Sequence, residues 1–328
     1  MSDLRADTTP TSTQFAGMRS RTFFVALRRI VSARRSAIIE LQRTSTMNYR
    51  HVFHAGNHAD VLKHVILARL LTHLNRKTKP YRVIDAHAGI GSYALDGVEA
   101  VKTREWEFGI GKMAAPFAPN IEALLAPYRD IIAMVNPGGA MRVYPGSPEI
   151  AAYSMRETDR MIANELHPDD AKSLAQLFHG DERVKVMRLD ALTCVKAVLP
   201  PPERRGLILI DPSYEETGAA VNAARILAEG LKRFATGLFM LWYPLKANDD
   251  AATCLEAARA LGVPATLTAE LRVREAFKQG GLAGSGVIVV NAPWKLDEEL
   301  AALLPALAAR LGLGDWGLGT VRWLVPPV

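Results

Sequence analysis

The chain has 328 residues, room for two average domains or for one large α/β domain carrying an insertion. Hydrophobic residues make up 49% and charged residues 23%, a balance that excludes a mainly disordered chain and permits a large core. The formal charge of +6 is a weak pointer to an anionic partner, and two cysteines, Cys194 and Cys254, are too few for a disulfide framework or a four-thiolate zinc site.

Residues 1–46 hold eight arginines against Asp3, Asp7 and Glu40, so five of the six net charges lie there. Their Ser/Thr-rich start and weak helical stripe (Phe24, Leu27, Val31, Ile38, Leu41) read as a basic, disordered leader, or as a segment upstream of a true start at Met47. The apolar run that begins at Phe23 stops at Arg28, and no stretch reaches the roughly 18–20 apolar residues of a membrane span. Neither a membrane anchor nor a cleaved secretory signal is expected, and a reduced, cytoplasmic compartment suits the cysteine count.

The next predicted element is a helix over 57–76, whose Ala59, Leu62, Val65, Ile66 and Leu70 form a face for packing on a sheet. His54 and His58 are spaced i, i+4, which raises zinc as a question, but no HExxH accompanies them and no metal is expected. Strands are predicted at 81–85, 161–165, 184–190, 206–211 and 237–244, with helices near 148–157, 168–180, 191–199, 218–234 and 248–262. Alternation of this kind implies a parallel sheet covered on both faces. Two further strands, about 265–274 and 286–292, are joined by a glycine-rich link too short for a helical crossover, so they should pair antiparallel. The expectation is a mixed seven-stranded sheet. The proline- and glycine-rich stretch 96–145 reads as a small helical insertion.

Four of the five parallel strands end in an acidic residue: Asp85, Glu165, Asp190 and Asp211. Open α/β sheets bind ligands at that carboxyl edge, although acidic residues also favour the helix N-termini that follow. Gly89, Gly91 and Ala94 satisfy G-x-G-x-x-A, which by itself would allow a nicotinamide dinucleotide. Asp85, however, stands four residues before the first glycine, where a carboxylate would repel a pyrophosphate and attract a cation. S-adenosylmethionine has no phosphate and offers an ammonium, a sulfonium, ribose hydroxyls and an adenine amino group. Glu165 could accept the ribose hydroxyls and Asp190 the adenine amine.

The run Gly206–Ile210 leads into Asp211-Pro212-Ser213-Tyr214. Such a sequence is ordinary turn chemistry, but at the end of a strand in this series it also suits methyl transfer to an aromatic amine. The lone pair of such an amine is delocalised into the ring. The Asp211 carboxylate and the Pro212 carbonyl could accept its hydrogens and direct the lone pair at a methyl group, while Tyr214 offers a ring for stacking the base.

These residues carry a resemblance. The stretch 85–91 (Asp-Ala-His-Ala-Gly-Ile-Gly) with Asp211-Pro-Ser-Tyr214 resembles the amino-methyltransferases that bear a D/N-P-P-Y/F tetrad. Residues 49–64 (Tyr-Arg-His-Val-Phe-His-Ala-Gly-Asn-His-Ala-Asp-Val-Leu-Lys-His), with Tyr144-Pro-Gly-Ser-Pro148, Glu165-Leu-His-Pro168 and Trp242-Tyr-Pro244, resemble the J-type 23S ribosomal RNA adenine-N6 methyltransferase family from about Met47 to the C-terminus. The resemblance implies a Rossmann-like, monomeric methyltransferase over 47–328 that acts on one adenine of naked or partly assembled 23S rRNA and converts S-adenosylmethionine to S-adenosylhomocysteine. It implies that Lys63, His64, Asp85, His87, Ser147, Glu165, Asp190, Ala191 and Asp211 surround the cofactor. It also implies that Asp211, with Pro212 and Tyr214, is catalytic, and that Tyr49, His51 and Tyr214 hold the adenosine. Ser213 departs from the family's usual proline. A DNA adenine-N6 methyltransferase and a non-catalytic RNA-binding assembly factor are the alternatives. His73, His167 and His179 read as surface or capping residues, and Arg272, Arg274 and Lys278 as a solvated face or an RNA contact.

Overall fold

The computed structural model describes residues 51–275, 281–314 and 316–328. In chain order, α1 (His58–Asn75) precedes β1 (Arg82–Asp85), and a ribbon of β2 (Ser92–Ala94) and β3 (Val143–Pro145) brackets α2 (Val98–Thr103) and α3 (Pro119–Val135). Then follow α4 (Ser147–Ser154), β4 (Arg160–Asn164), α5 (Pro168–Leu177), β5 (Val184–Met187), α6 (Ala191–Val198), β6 (Gly206–Ile210) and α7 (Ala219–Arg233). The chain closes with β7 (Leu238–Leu245), α8 (Asp250–Leu261), β8 (Thr266–Arg272), β9 (Gly284–Val290), α9 (Leu296–Leu311) and β10 (Leu318–Val325).

Among the described residues the main sheet runs β10-β8-β9-β7-β6-β1-β4-β5. The five central and outer strands β7, β6, β1, β4 and β5 are parallel, and β9 pairs antiparallel with both β7 and β8. The antiparallel closing pair therefore matches the expectation from the short glycine link. The sheet has eight strands where seven were expected, because β10 adds antiparallel to β8 at the edge. Two glycines let β10 lie close to α9: a Cβ on Gly317 would sit 2.2 Å from the Ala308 carbonyl oxygen, and one on Gly319 2.4 Å from the Leu304 backbone. An edge strand that leans on a helix needs no long apolar run, so its local signal is weak.

Both faces of the sheet are covered, and the strands show it residue by residue. Val83, Leu207 and Leu209 join one core with α1, α3, α4 and α9, while Ile84, Ile208 and Ile210 join the other with α6, α7 and α8. The alternating pleat sends successive apolar side chains into opposite cores, which is why these strands are apolar throughout. The same demand falls on α1. It was expected to bury one face, but it is buried on nearly every side, Lys63 and His64 included. Asn57 starts it by accepting from the Ala59 and Asp60 amides.

The chain reverses lateral direction about β1. It moves from β1 outward to β4 and β5, then returns to β6 on the other side. The carboxyl ends of β1 and β6 thus flank a topological switch point. The β2–β3 ribbon closes the excursion 95–142 there, and the Gly146 amide bonds the Gly91 carbonyl at 2.7 Å. That contact delivers Ser147 beside Asp85.

Candidate active site

Asp85, the last residue of β1, is fully buried and accepts from Ser147 Oγ at 2.7 Å and from the His87 amide at 3.2 Å. Burial pushes its carboxyl up to about 7, only partly offset by those two donors. The glycine turn follows, with Gly89 and Gly91 at φ +60° and +84°. A Cβ at Gly89 would lie 2.4 Å from Tyr93 Oη, so this turn is open to the backbone alone.

Glu165, one residue past β4, reaches across to the same turn. Its Oε2 accepts from the Gly89 amide at 2.9 Å and its Oε1 from the His167 amide at 2.8 Å, while burial raises its carboxyl above the ordinary value. Asp190 is exposed and caps α6 through the Thr193 amide at 3.0 Å, next to the buried Ala191. His87 is held neutral by burial, which lowers it to about 4, and its Nδ1 accepts from the Asp211 amide at 3.2 Å.

Asp211 itself begins the turn after β6. Its Oδ2 lies 2.6 Å from Lys63 Nζ, 148 residues away in sequence. Among the described residues no hydrogen bond falls on Oδ1. Pro212 is buried, and Tyr214 is 8% exposed with its hydroxyl donated to the Trp242 carbonyl at 2.6 Å. Tyr214, expected to stack on a base, is therefore a rigid wall of the tetrad with little of its ring open to a ligand.

His64, expected at the cofactor, is 4% exposed, and its Nδ1 bonds the Tyr144 hydroxyl at 2.8 Å, with Tyr128 behind at 3.2 Å. His51 lies in a short turn before α1, edge-on to Tyr93 with ring centroids 5.3 Å apart, and bonds Asp60 at 2.9 Å. Tyr49, the leader 1–46 and Lys278 lie outside the described residues. His54 stands in the turn ahead of α1 and bonds Glu105, so it does not share a helical face with His58. Among the described residues no group of three metal-ligating side chains converges. His73 is buried against Glu299 at 3.0 Å, not at the surface, because α9 covers that end of α1, whereas His167 caps α5 as expected.

Two residues that the motif stretches contain, but to which the sequence assigned no role, also stand at the site. Asp60 is 1% exposed and sits between His51 and Lys63. The Trp242 indole lies 5.0 Å from Lys63 Nζ and edge-on to Tyr214 at 5.3 Å. An apolar strand with an acidic end is visible locally, but only the fold brings a mid-helix Asp and a mid-strand Trp to that end.

The positive-φ glycines would serve either ligand, but the Asp85 carboxyl ahead of them and the acceptors that follow β4, β5 and β6 fit S-adenosylmethionine better than a diphosphate. With the strand order of a doubly wound sheet closed by an antiparallel strand, they define an S-adenosylmethionine-dependent methyltransferase. Sequence and structure comparisons agree. Residues 78–325 match the family model described as "Ribosomal RNA large subunit methyltransferase D, RlmJ", and the chain belongs to that family. It is 40% identical to the "Ribosomal RNA large subunit methyltransferase J" proteins of Escherichia coli, over 280 residues, and Haemophilus influenzae, over 284; each alignment spans 85% of this chain and 99% of the relative. A crystal structure of a Legionella pneumophila protein superposes with TM-score 0.74 at 31% identity, covering 82% of this chain and 98% of that one. Among the described residues no helix is long and apolar enough to cross a membrane.

Proposed function

We propose that this methyltransferase modifies the exocyclic N6 of one adenine in 23S rRNA, with Asp211 and the Pro212 carbonyl accepting the amine hydrogens. The observation that carries this reading is the Asp211 carboxylate at the switch point, with Oδ2 held by Lys63 and its backbone amide held by neutral His87. One oxygen is committed to the ammonium. The other remains for an amine hydrogen, and the rigid proline presents a carbonyl beside it. Two such acceptors make the amine nitrogen more pyramidal and aim its lone pair, and what remains is positioning. When bound, S-adenosylmethionine supplies an electrophilic methyl group and leaves as S-adenosylhomocysteine. Asp85 would take its ammonium, Glu165 its ribose and Asp190 its adenine amine, while Asp211 receives the proton released from N6.

The substrate class is that of the two ribosomal RNA large subunit methyltransferase J relatives, nearly the whole length of which this chain covers. In this reading residues 47–328 form the methyltransferase unit, 96–145 its helical insertion, and a single cytoplasmic chain is sufficient. His51 and Tyr49 would hold the adenosine from the N-terminal side. The test is methylation of unmodified 23S rRNA against duplex DNA, followed by mass mapping of the modified nucleotide. Asp211→Ala is expected to reduce transfer at least a hundredfold with the fold intact; full activity in that variant, or transfer to DNA only, refutes the proposal.

A further inference from the structure

The side chains that lead to Asp211 form a row: His51, Asp60 and Lys63. His51 Nε2 lies 2.9 Å from Asp60 Oδ2, Asp60 Oδ1 lies 3.0 Å from Lys63 Nζ, and Lys63 Nζ lies 2.6 Å from Asp211 Oδ2. Asp60 is 1% exposed, and its Oδ2 also accepts from the Gly56 amide at 2.8 Å. The turn that carries this amide is itself clamped by the insertion: the Ile110 amide bonds the Gly56 carbonyl at 2.8 Å, and Glu105 bonds both His54 and Asn57. Asp60 is thus held through Oδ2 by a backbone amide as well as by His51, with Oδ1 left to face the Lys63 ammonium.

We propose that Asp60 is a positioning residue for methyl transfer, fixing the Lys63 ammonium at Asp211 and sharing its charge so that Asp211 remains a strong acceptor. This rests on the proposed role of Asp211. A lysine ammonium beside a single carboxylate in a site of low polarity draws most of that carboxylate's charge onto itself and weakens it as an acceptor for a neutral amine. A second carboxylate on the far side of the ammonium divides the attraction. It also confines a side chain with several rotatable bonds to one position, with the Trp242 ring 5.0 Å away as a further wall. Asp60, 1% exposed, lies behind Lys63 as seen from Asp211. It acts through Lys63.

The test is a double-mutant cycle in the full chain with Asp60→Asn, Lys63→Gln and the pair together, read as the single-turnover rate of methyl transfer to a 23S rRNA fragment at saturating cofactor. Asp60→Asn is expected to lower that rate at least tenfold while cofactor affinity, from titration calorimetry, stays within about threefold. The double variant is expected to be no slower than Lys63→Gln alone, because both changes remove one device. Multiplicative losses, or an unchanged rate in Asp60→Asn, overturn the proposal. Thermal melting identifies a variant that fails to fold, and in that event Asp60→Glu, which keeps the charge, takes its place in the cycle with the same expected non-additivity. A crystal structure of Asp60→Asn gives a measure independent of turnover: Lys63 Nζ is expected to move away from residue 60 and rest against Asp211 alone, and an ammonium unmoved from its place between the two side chains refutes the positioning role. Absence of rRNA methylation by the unaltered chain would instead refute the substrate assignment, with the structural measure still deciding the role of Asp60.

Discussion

Lowering the pH from 7.5 to 6 is expected to weaken S-adenosylmethionine binding about eightfold, because Asp85 must lose a proton to meet the ligand's ammonium. Its carboxyl is fully buried, and burial raises it from the usual 3.8 to about 7. A rise of that size corresponds to ~4 kcal/mol in favour of the neutral form. Below 7 each unit of pH then costs about tenfold in the ionised fraction, and the affinity follows it until the ligand-bound carboxylate itself titrates. Calorimetry in buffers of different ionisation enthalpy reads the coupled proton directly: about 0.9 proton should be released per ligand bound at pH 6. Asp85→Asn keeps the shape, with its oxygen facing the His87 amide and its NH2 facing Ser147 Oγ, and should remove both the proton release and the pH slope. Without ligand the sign is reversed for stability. The native carboxyl holds a proton that the unfolded chain has released, so this group lowers stability as pH rises from about 4 to about 7 and contributes no further change above that. A pH-independent affinity in the unaltered chain, or an Asp85→Asn profile identical to it, refutes the assignment of the ammonium to Asp85.

Three further outcomes follow from named contacts. Glu165→Ala removes the acceptor for the Gly89 and His167 amides and the expected ribose partner, so cofactor affinity should fall at least tenfold by calorimetry; unchanged affinity would remove Glu165 from the site. Ser213 is half-buried, and its hydroxyl accepts from the Glu215 amide at a long 3.4 Å, so Ser213→Pro should leave turnover within about threefold in a methyl-transfer assay. A larger change would give the position a role in the chemistry. Gly286→Ala would place a Cβ 2.2 Å from Tyr243 Cζ, in a ring pinned by Thr268 at 2.6 Å and Glu270 at 2.9 Å, so a loss of ~1–3 kcal/mol is expected by urea unfolding. A loss below about 0.5 kcal/mol would show that the ring yields.

Much of this protein was legible in the sequence because strand alternation, helix caps and turn residues are local. The apolar runs of β1 and β6, the helix opened by Asn57, and the acidic residues at the strand ends all lie where short-range patterning places them. The motif stretches around Asp85 and Asp211 likewise marked the site. Lateral order left no such trace: that β6 returns beside β1 while β4 and β5 lie beyond it depends on how the chain crosses the sheet. Tertiary structure alone decided that Lys63 would reach Asp211, that Asp60 would hold it, and that His64 would turn to Tyr144. It also withdrew Tyr214 from the surface and added an eighth strand on two glycines. The physical reason is the same in each case. Periodicity and capping are set by neighbours within a few residues, whereas a buried charge must find its partner wherever the fold brings one, here 148 residues along the chain.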